Sequence, residues 1–149
     1  MSLSTDQKGQ GGDLKCLEVS NTSRRILVAD DDPVIRRLLT SIAGREGYTA
    51  VAVEDGREAY HILQSDADFS GAIFDMMMPH LDGLEVIRYM RTEKRLMRIP
   101  VMMITSEQDL KSTAASFAAG ATVFLPKPFT AEQFQTIFKI LVSERRVAA

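Results

Sequence analysis

Ile26-Leu27-Val28-Ala29-Asp30-Asp31-Asp32-Pro33 is the stretch on which the reading of this 149-residue chain turns. Four consecutive apolar residues are too few for a buried helix. They do not alternate with polar ones, so they read as a strand covered on both faces, as in a parallel sheet. The run then stops at three carboxylates. Asp32 before Pro33 is a helix start, an N-cap followed by the one residue whose missing N–H costs nothing at the first helical position. Ile35, Leu38, Leu39 and Ile42 continue it as an apolar stripe. The segment therefore predicts a strand, an acidic loop and a helix.

The same grammar repeats outward. Thr49-Ala50-Val51-Ala52-Val53, Gly71-Ala72-Ile73-Phe74, Val101-Met102-Met103-Ile104 and Thr122-Val123-Phe124-Leu125 read as four further strands, mostly apolar throughout. Asp55 with Glu58, and Thr130 with Gln133, have capping-box spacing before the apolar stripes Ala59-Ile62-Leu63 and Phe134-Ile137-Phe138-Leu141. Asp82-Gly83 opens a helix through Leu84, Ile87 and Met90. Another is expected from about Gln108 to Ala119, stopped by Gly120. Five strands alternating with five helices predict an α/β fold with a parallel, doubly wound sheet. In such sheets ligands bind beyond the carboxyl ends of the strands. Asp30-Asp31, Asp75, Thr105 and Lys127 each end or immediately follow a strand, so the topology assigns them to one edge.

Composition narrows the function. Hydrophobic content of 45% and charged content of 26% are ordinary for one globular domain. A net charge of −2 provides no broad attraction to nucleic acid or to an anionic membrane, so direct nucleic-acid binding is not expected. No apolar stretch reaches the roughly 20 residues of a membrane span, and the first residues lack secretory-signal character; the chain reads as cytoplasmic. Residues 1–23 are rich in Ser, Gly, Gln, Thr and Asp and are expected to be a flexible tail. The domain is expected over 24–146, with a short C-terminal tail at 147–149. The single Cys16 has no internal disulfide partner and reads as an incidental reduced thiol.

Strands one and three of such a sheet would bring Asp30, Asp31 and Asp75 together. Like charges about 4 Å apart at an effective dielectric near 20 repel by roughly 4 kcal/mol. A clustered trio therefore raises a carboxyl pKa or binds a cation. A hard divalent ion with oxygen ligands suits it, since Mg²⁺ takes few protein oxygens and keeps waters and a phosphate oxygen.

At this point the chain resembles the receiver domains of two-component response regulators, over about Arg24 to Arg146. The matching stretches are Ile26 to Pro33, Phe74-Asp75-Met76-Met77-Met78-Pro79 with Asp82-Gly83, Pro100 to Ser106, and Phe124-Leu125-Pro126-Lys127-Pro128-Phe129. The resemblance implies a flavodoxin-like fold with strand order 2-1-3-4-5. It implies Asp75 as acceptor of a phosphoryl group from a histidine kinase or a histidine phosphotransfer protein, and Mg²⁺ held by Asp31, Asp75 and the backbone carbonyl of Met77, with Asp30 acting through water. Lys127 would meet the phosphoryl oxygens, and Thr105 and Phe124 would be the switch residues. The Lys127-Pro128 bond would be cis. Signal output would pass to a protein target through the fourth helix, fifth strand and fifth helix, with homodimerisation on phosphorylation as a further expectation. Such a domain is a switch and not an enzyme, beyond its own phosphorylation and slow dephosphorylation. Phe124 stands where many members carry tyrosine. Met77 and Glu107, two residues beyond Asp75 and Thr105, occupy positions that influence phosphoryl lifetime in the family.

Several residues have plainer readings. Asp32 and Asp82 are caps before they are ligands. His61 reads as exposed on the second helix and His80 as a solvated loop residue. Arg24-Arg25 and Arg36-Arg37 read as solvated ends. The competing functions are a Mg²⁺-dependent phosphohydrolase working through an aspartyl phosphate, and a phosphorylation-independent interaction module. The first lacks an Asp-x-Asp pair with a credible second acid and lacks a cap segment; the second leaves the acid, threonine and lysine set without a purpose.

Overall fold

The computed structural model describes residues 24–106 and 110–148. Expectations resting on residues 1–23, Cys16 among them, and on Glu107 lie outside the described residues. Five strands and five helices alternate: β1 (Arg25–Ala29), α1 (Pro33–Arg45), β2 (Thr49–Val53), α2 (Gly56–Ser65), β3 (Gly71–Asp75), α3 (Gly83–Thr92), β4 (Val101–Ser106), α4 (Leu110–Ala119), β5 (Val123–Lys127) and α5 (Ala131–Ala148). All pairings are parallel and the strand order is β2-β1-β3-β4-β5, the flavodoxin-like arrangement.

Alternation along the strands divides the core in two. Leu27, Ala72, Phe74, Val101 and Met103 pack with Ala59, Leu63, Val86, Ile87 and Met90 under α2 and α3. Ile26, Val28, Ile73, Met102 and Ile104 pack with Leu39, Ile42, Phe134, Phe138 and Leu141 under α1 and α5. The central strands are apolar throughout because both faces are covered. β2 departs from that expectation: Thr49 and Ala52 are exposed, since it is the sheet's edge.

The helix starts follow their sequence signals with two corrections. Asp32 Oδ1 accepts from Val34 N at 2.9 Å ahead of Pro33, and Thr130 and Gln133 cap each other reciprocally. Asp55 accepts from Glu58 N, but the Glu58 carboxylate takes the N–H of Glu54 and not that of Asp55, so the expected capping box is only half formed. A full box forms instead between Asp82 and Glu85. Its spacing, Asp82 followed three residues later by Glu85, is legible in the sequence. At the other end of the chain α5 runs to Ala148, beyond the expected end near Arg146; nothing from Ser143 to Ala148 breaks a helix. Gly120 ends α4 with φ +112°, the left-handed conformation that favours glycine. Among the described residues no helix is long and apolar enough to cross a membrane.

Candidate functional site

The carboxyl edge of the sheet collects the acidic residues for a topological reason. β1 and β3 are neighbours in register, Ala29 opposite Phe74, so the residues that follow each strand converge. Asp30, Asp31 and Asp75 each offer a carboxylate oxygen, and these oxygens lie within 4.8 Å of one another. Asp30 and Asp75 are buried and Asp31 is exposed. On the far side of β4, Ser106 is in register with Lys127, which extends its ammonium back across the edge to Asp75 Oδ2 at 3.1 Å.

Among the described residues, one buried side-chain polar atom, Asp30 Oδ2, has no hydrogen-bond partner. Met77 N donates to Asp75 Oδ1 at 3.2 Å, and Met76 N donates to Ile104 O. Asp32 N donates to Asp30 Oδ1 at 2.9 Å. Asp30 Oδ2 is fully buried and accepts no hydrogen bond from the protein. Burial pushes the Asp30 carboxyl up to about 6, against the lowering by the Asp32 N–H and with further raising by the Asp75 charge. Burial also pulls down on the Lys127 ammonium, but Asp75, by hydrogen bond and by charge, together with Asp30 and Asp31 outweighs it and leaves that pKa raised. A buried carboxylate oxygen with no donor, in a trio of acids carrying one lysine, is what a hard cation relieves. The donor set fits such an ion.

Thr105 is buried at the end of β4, in register with Pro126 and one residue past Ile104, the partner of Asp75. Phe124 is half-buried and meets Phe117 of α4 edge-on, ring centroids 4.1 Å apart. The Lys127–Pro128 peptide bond is cis. Asp82 serves as a cap and stays out of the acid trio. His61 is exposed.

Some contributors were not evident from sequence. Arg36 is half-buried, and its guanidinium donates to Asp30 O at 2.7 Å, tying α1 to the acidic loop; reading Arg36-Arg37 as a solvated pair missed this. Its position one helical turn after the cap is the only signal that could have found it. Likewise Arg25 pairs with Asp66 at 2.9 Å and lies over the Phe69 ring, and Arg24 lies over Tyr48. His80 occupies the left-handed region at φ 71° with Nε2 4.0 Å from Asp55 Oδ2, so the loop after β3 faces the start of α2. That approach is close: a Cβ at Gly56 would fall 1.8 Å from Leu81 O.

Comparison with known proteins agrees with this geometry. Response regulator MprA of Mycolicibacterium vanbaalenii is 36% identical over 118 residues, covering 79% of this chain and 50% of that protein. The chain thus spans about half the length of such relatives. Chemotaxis response regulator CheY4 of Vibrio cholerae superposes with a TM-score of 0.74 at 29% identity, over 80% of this chain and 99% of that one. The signal receiver domain of a histidine kinase from Syntrophus aciditrophicus gives 0.73 at 30% identity, over 80% and 89%. The family described as the response regulator receiver domain matches residues 26–139. With its strand order and the acids gathered at the carboxyl edge, the chain belongs to the response regulator receiver domain family.

Proposed function

We propose that this domain accepts a phosphoryl group on Asp75 from the phosphohistidine of a histidine kinase or a phosphotransfer protein. The observation that carries this reading is the setting of the Asp75 carboxylate: one oxygen on Lys127 Nζ at 3.1 Å, the other on Met77 N, with Asp30 and Asp31 alongside. In the transfer an Asp75 oxygen forms the new P–O bond as the P–N bond to the donor imidazole breaks; the ring nitrogen keeps the bonding pair, and with the other ring nitrogen protonated the imidazole leaves neutral. Lys127 balances charge on the phosphoryl oxygens, and the backbone N–H of Met77 orients the attacking carboxylate. Mg²⁺, when bound by Asp31, Asp75 and the Met77 carbonyl with Asp30 acting through water, neutralises the charge that the incoming group adds. Arg36 is a positioning residue, since it fixes the backbone that presents Asp30 and Asp31.

Thr105 and Phe124 form the switch in this reading. Thr105, one residue past the register partner of Asp75, would donate its hydroxyl to an oxygen of the new group. Phe124 rests against an exposed Phe117, so its packing can change without opening the core. The output surface is α4, β5 and α5; between β5 and α5 an open hollow of about 610 Å³ is lined by Phe124, Pro126, Pro128, Gln133 and Ile137 among others.

The test is treatment with acetyl phosphate and Mg²⁺, or with beryllofluoride, followed by intact mass and amide NMR. Wild type should gain one phosphoryl group, with shifts spreading from Asp75 to Thr105 and Phe124. Asp75→Asn should gain none. Equal labelling of the two proteins, or no response by wild type, overturns the proposal.

A further inference from the structure

We propose that Met77 is a peroxide-sensitive modification site whose oxidation shortens the life of a phosphoryl group on Asp75; the second half rests on the phosphoacceptor reading above. The Met76-Met77-Met78 triplet reads in, out, in. Met76 and Met78 are buried, while Met77 is 72% exposed. The buried neighbours, the Met76 N–H on Ile104 O and the Met77 N–H on Asp75 Oδ1 hold this backbone in place. The thioether is therefore displayed to solvent by a fixed segment, and it cannot turn inward without expelling a packed neighbour. Its residue is two positions from the acceptor, and that residue's backbone N–H donates to Asp75 Oδ1.

Exposure decides which thioethers oxidise. Among the described residues Met90, Met102 and Met103 are fully buried, and only Met97, at 49%, shares the accessibility of Met77. Met97 lies before β4, at the opposite edge of the sheet from Asp75. The fold thus supplies its own control: two accessible thioethers, one on the acceptor loop and one remote.

The chemistry balances with a hydroperoxide as oxidant. The sulfur lone pair takes the terminal peroxide oxygen as the O–O bond breaks. The sulfoxide forms, and water or an alcohol leaves with the proton. Sulfur loses two electrons and the peroxide gains them. The product replaces an apolar group on the loop that carries the acceptor by a hydrated, hydrogen-bond-accepting dipole. Water is drawn to the bond that hydrolysis attacks.

The full chain should be exposed to graded hydrogen peroxide, its oxidation mapped by peptide mass spectrometry, and its phosphoryl half-life measured after loading with acetyl phosphate and Mg²⁺. Met77 and Met97 should oxidise well ahead of the buried methionines, and the half-life should fall roughly two- to fivefold, the scale of a small change in the hydrolytic barrier. Met97→Leu should keep the full effect of peroxide, whereas in Met77→Leu peroxide should leave the half-life unmoved. Oxidation of Met77 no faster than that of Met102 or Met103 overturns the site. Oxidation of Met77 with an unchanged half-life overturns its regulatory role. A chain that takes no phosphoryl group before or after peroxide overturns the phosphoacceptor reading and the regulatory half with it, while the oxidation map still decides the modification site.

Discussion

Among the described residues Asp30 is the one with a buried side-chain oxygen that no donor meets. Its carboxyl is raised from 3.8 to about 6 in the fold, so between those values the folded state holds a proton that the unfolded chain has released. The associated stability is complete below about 3.8 and drains as pH rises through about 6, by up to about 3 kcal/mol. Asp30→Asn should remove that slope. In chelator-treated buffer the variant should be more stable than wild type at pH 8 and level with it near pH 4, as read by urea denaturation across pH. An unchanged slope would show that another group sets it. Lys127 works in the opposite sense, as the one cation in contact with Asp75 among the described residues. Lys127→Gln should slow loading from acetyl phosphate by about 10²-fold, within the range for removing one charge-stabilising donor, while leaving the far-ultraviolet circular dichroism spectrum intact. A loading rate within about twofold of wild type would exclude Lys127 from the chemistry.

At the scale of elements, the loops hold the site through close backbone approaches that tolerate no added atoms. The first turn of α2 meets the loop after β3 at Gly56, where a Cβ would sit 1.8 Å from a backbone oxygen. Gly56→Ala should cost roughly 2–4 kcal/mol. Gly44 is the contrasting case, with nothing within 4 Å of a Cβ there; Gly44→Ala should stabilise α1 by about 0.5–1 kcal/mol. Thermal melts of the two single variants should move in opposite directions, and melts that shift together would contradict the close approach. Away from the site, Arg91 bridges α3 to Met97 O, Ile99 O and Gly120 O through four hydrogen bonds. Burial lowers its pKa, and carbonyls are the partners of its charge. Arg91→Lys should cost about 1–3 kcal/mol in chemical denaturation, because a single ammonium cannot replace a planar fork aimed at three carbonyls; no loss would mean that water serves those carbonyls equally well.

For the molecule as a whole, cation binding and folding are linked. A divalent ion that binds the native trio and not the unfolded chain stabilises by about 2.7 kcal/mol at a hundred times its dissociation constant. That corresponds to roughly 10 °C in the melting temperature of a domain this size. Mg²⁺ should raise the melting temperature of wild type, and Asp31→Asn should blunt the rise without lowering the metal-free value. A wild-type melt indifferent to Mg²⁺ would remove the cation from the reading.

The chain's own order of residues determined the strand and helix alternation, the caps at Asp32 and Thr130, and the arrival of Asp30, Asp31, Asp75 and Lys127 at one edge. These follow from short-range rules, apolar runs and cap spacing, acting with the handedness of parallel connections. Tertiary structure alone decided that Asp30 is buried with an unpartnered oxygen while adjacent Asp31 is exposed, and that Arg36 turns back to a carbonyl. It also decided that α2 begins against Leu81, that β2 lies half open at the edge, and that Met77 faces out between two buried methionines. Burial and pairing depend on what distant segments place beside a residue, and that information is absent from any local window of the sequence.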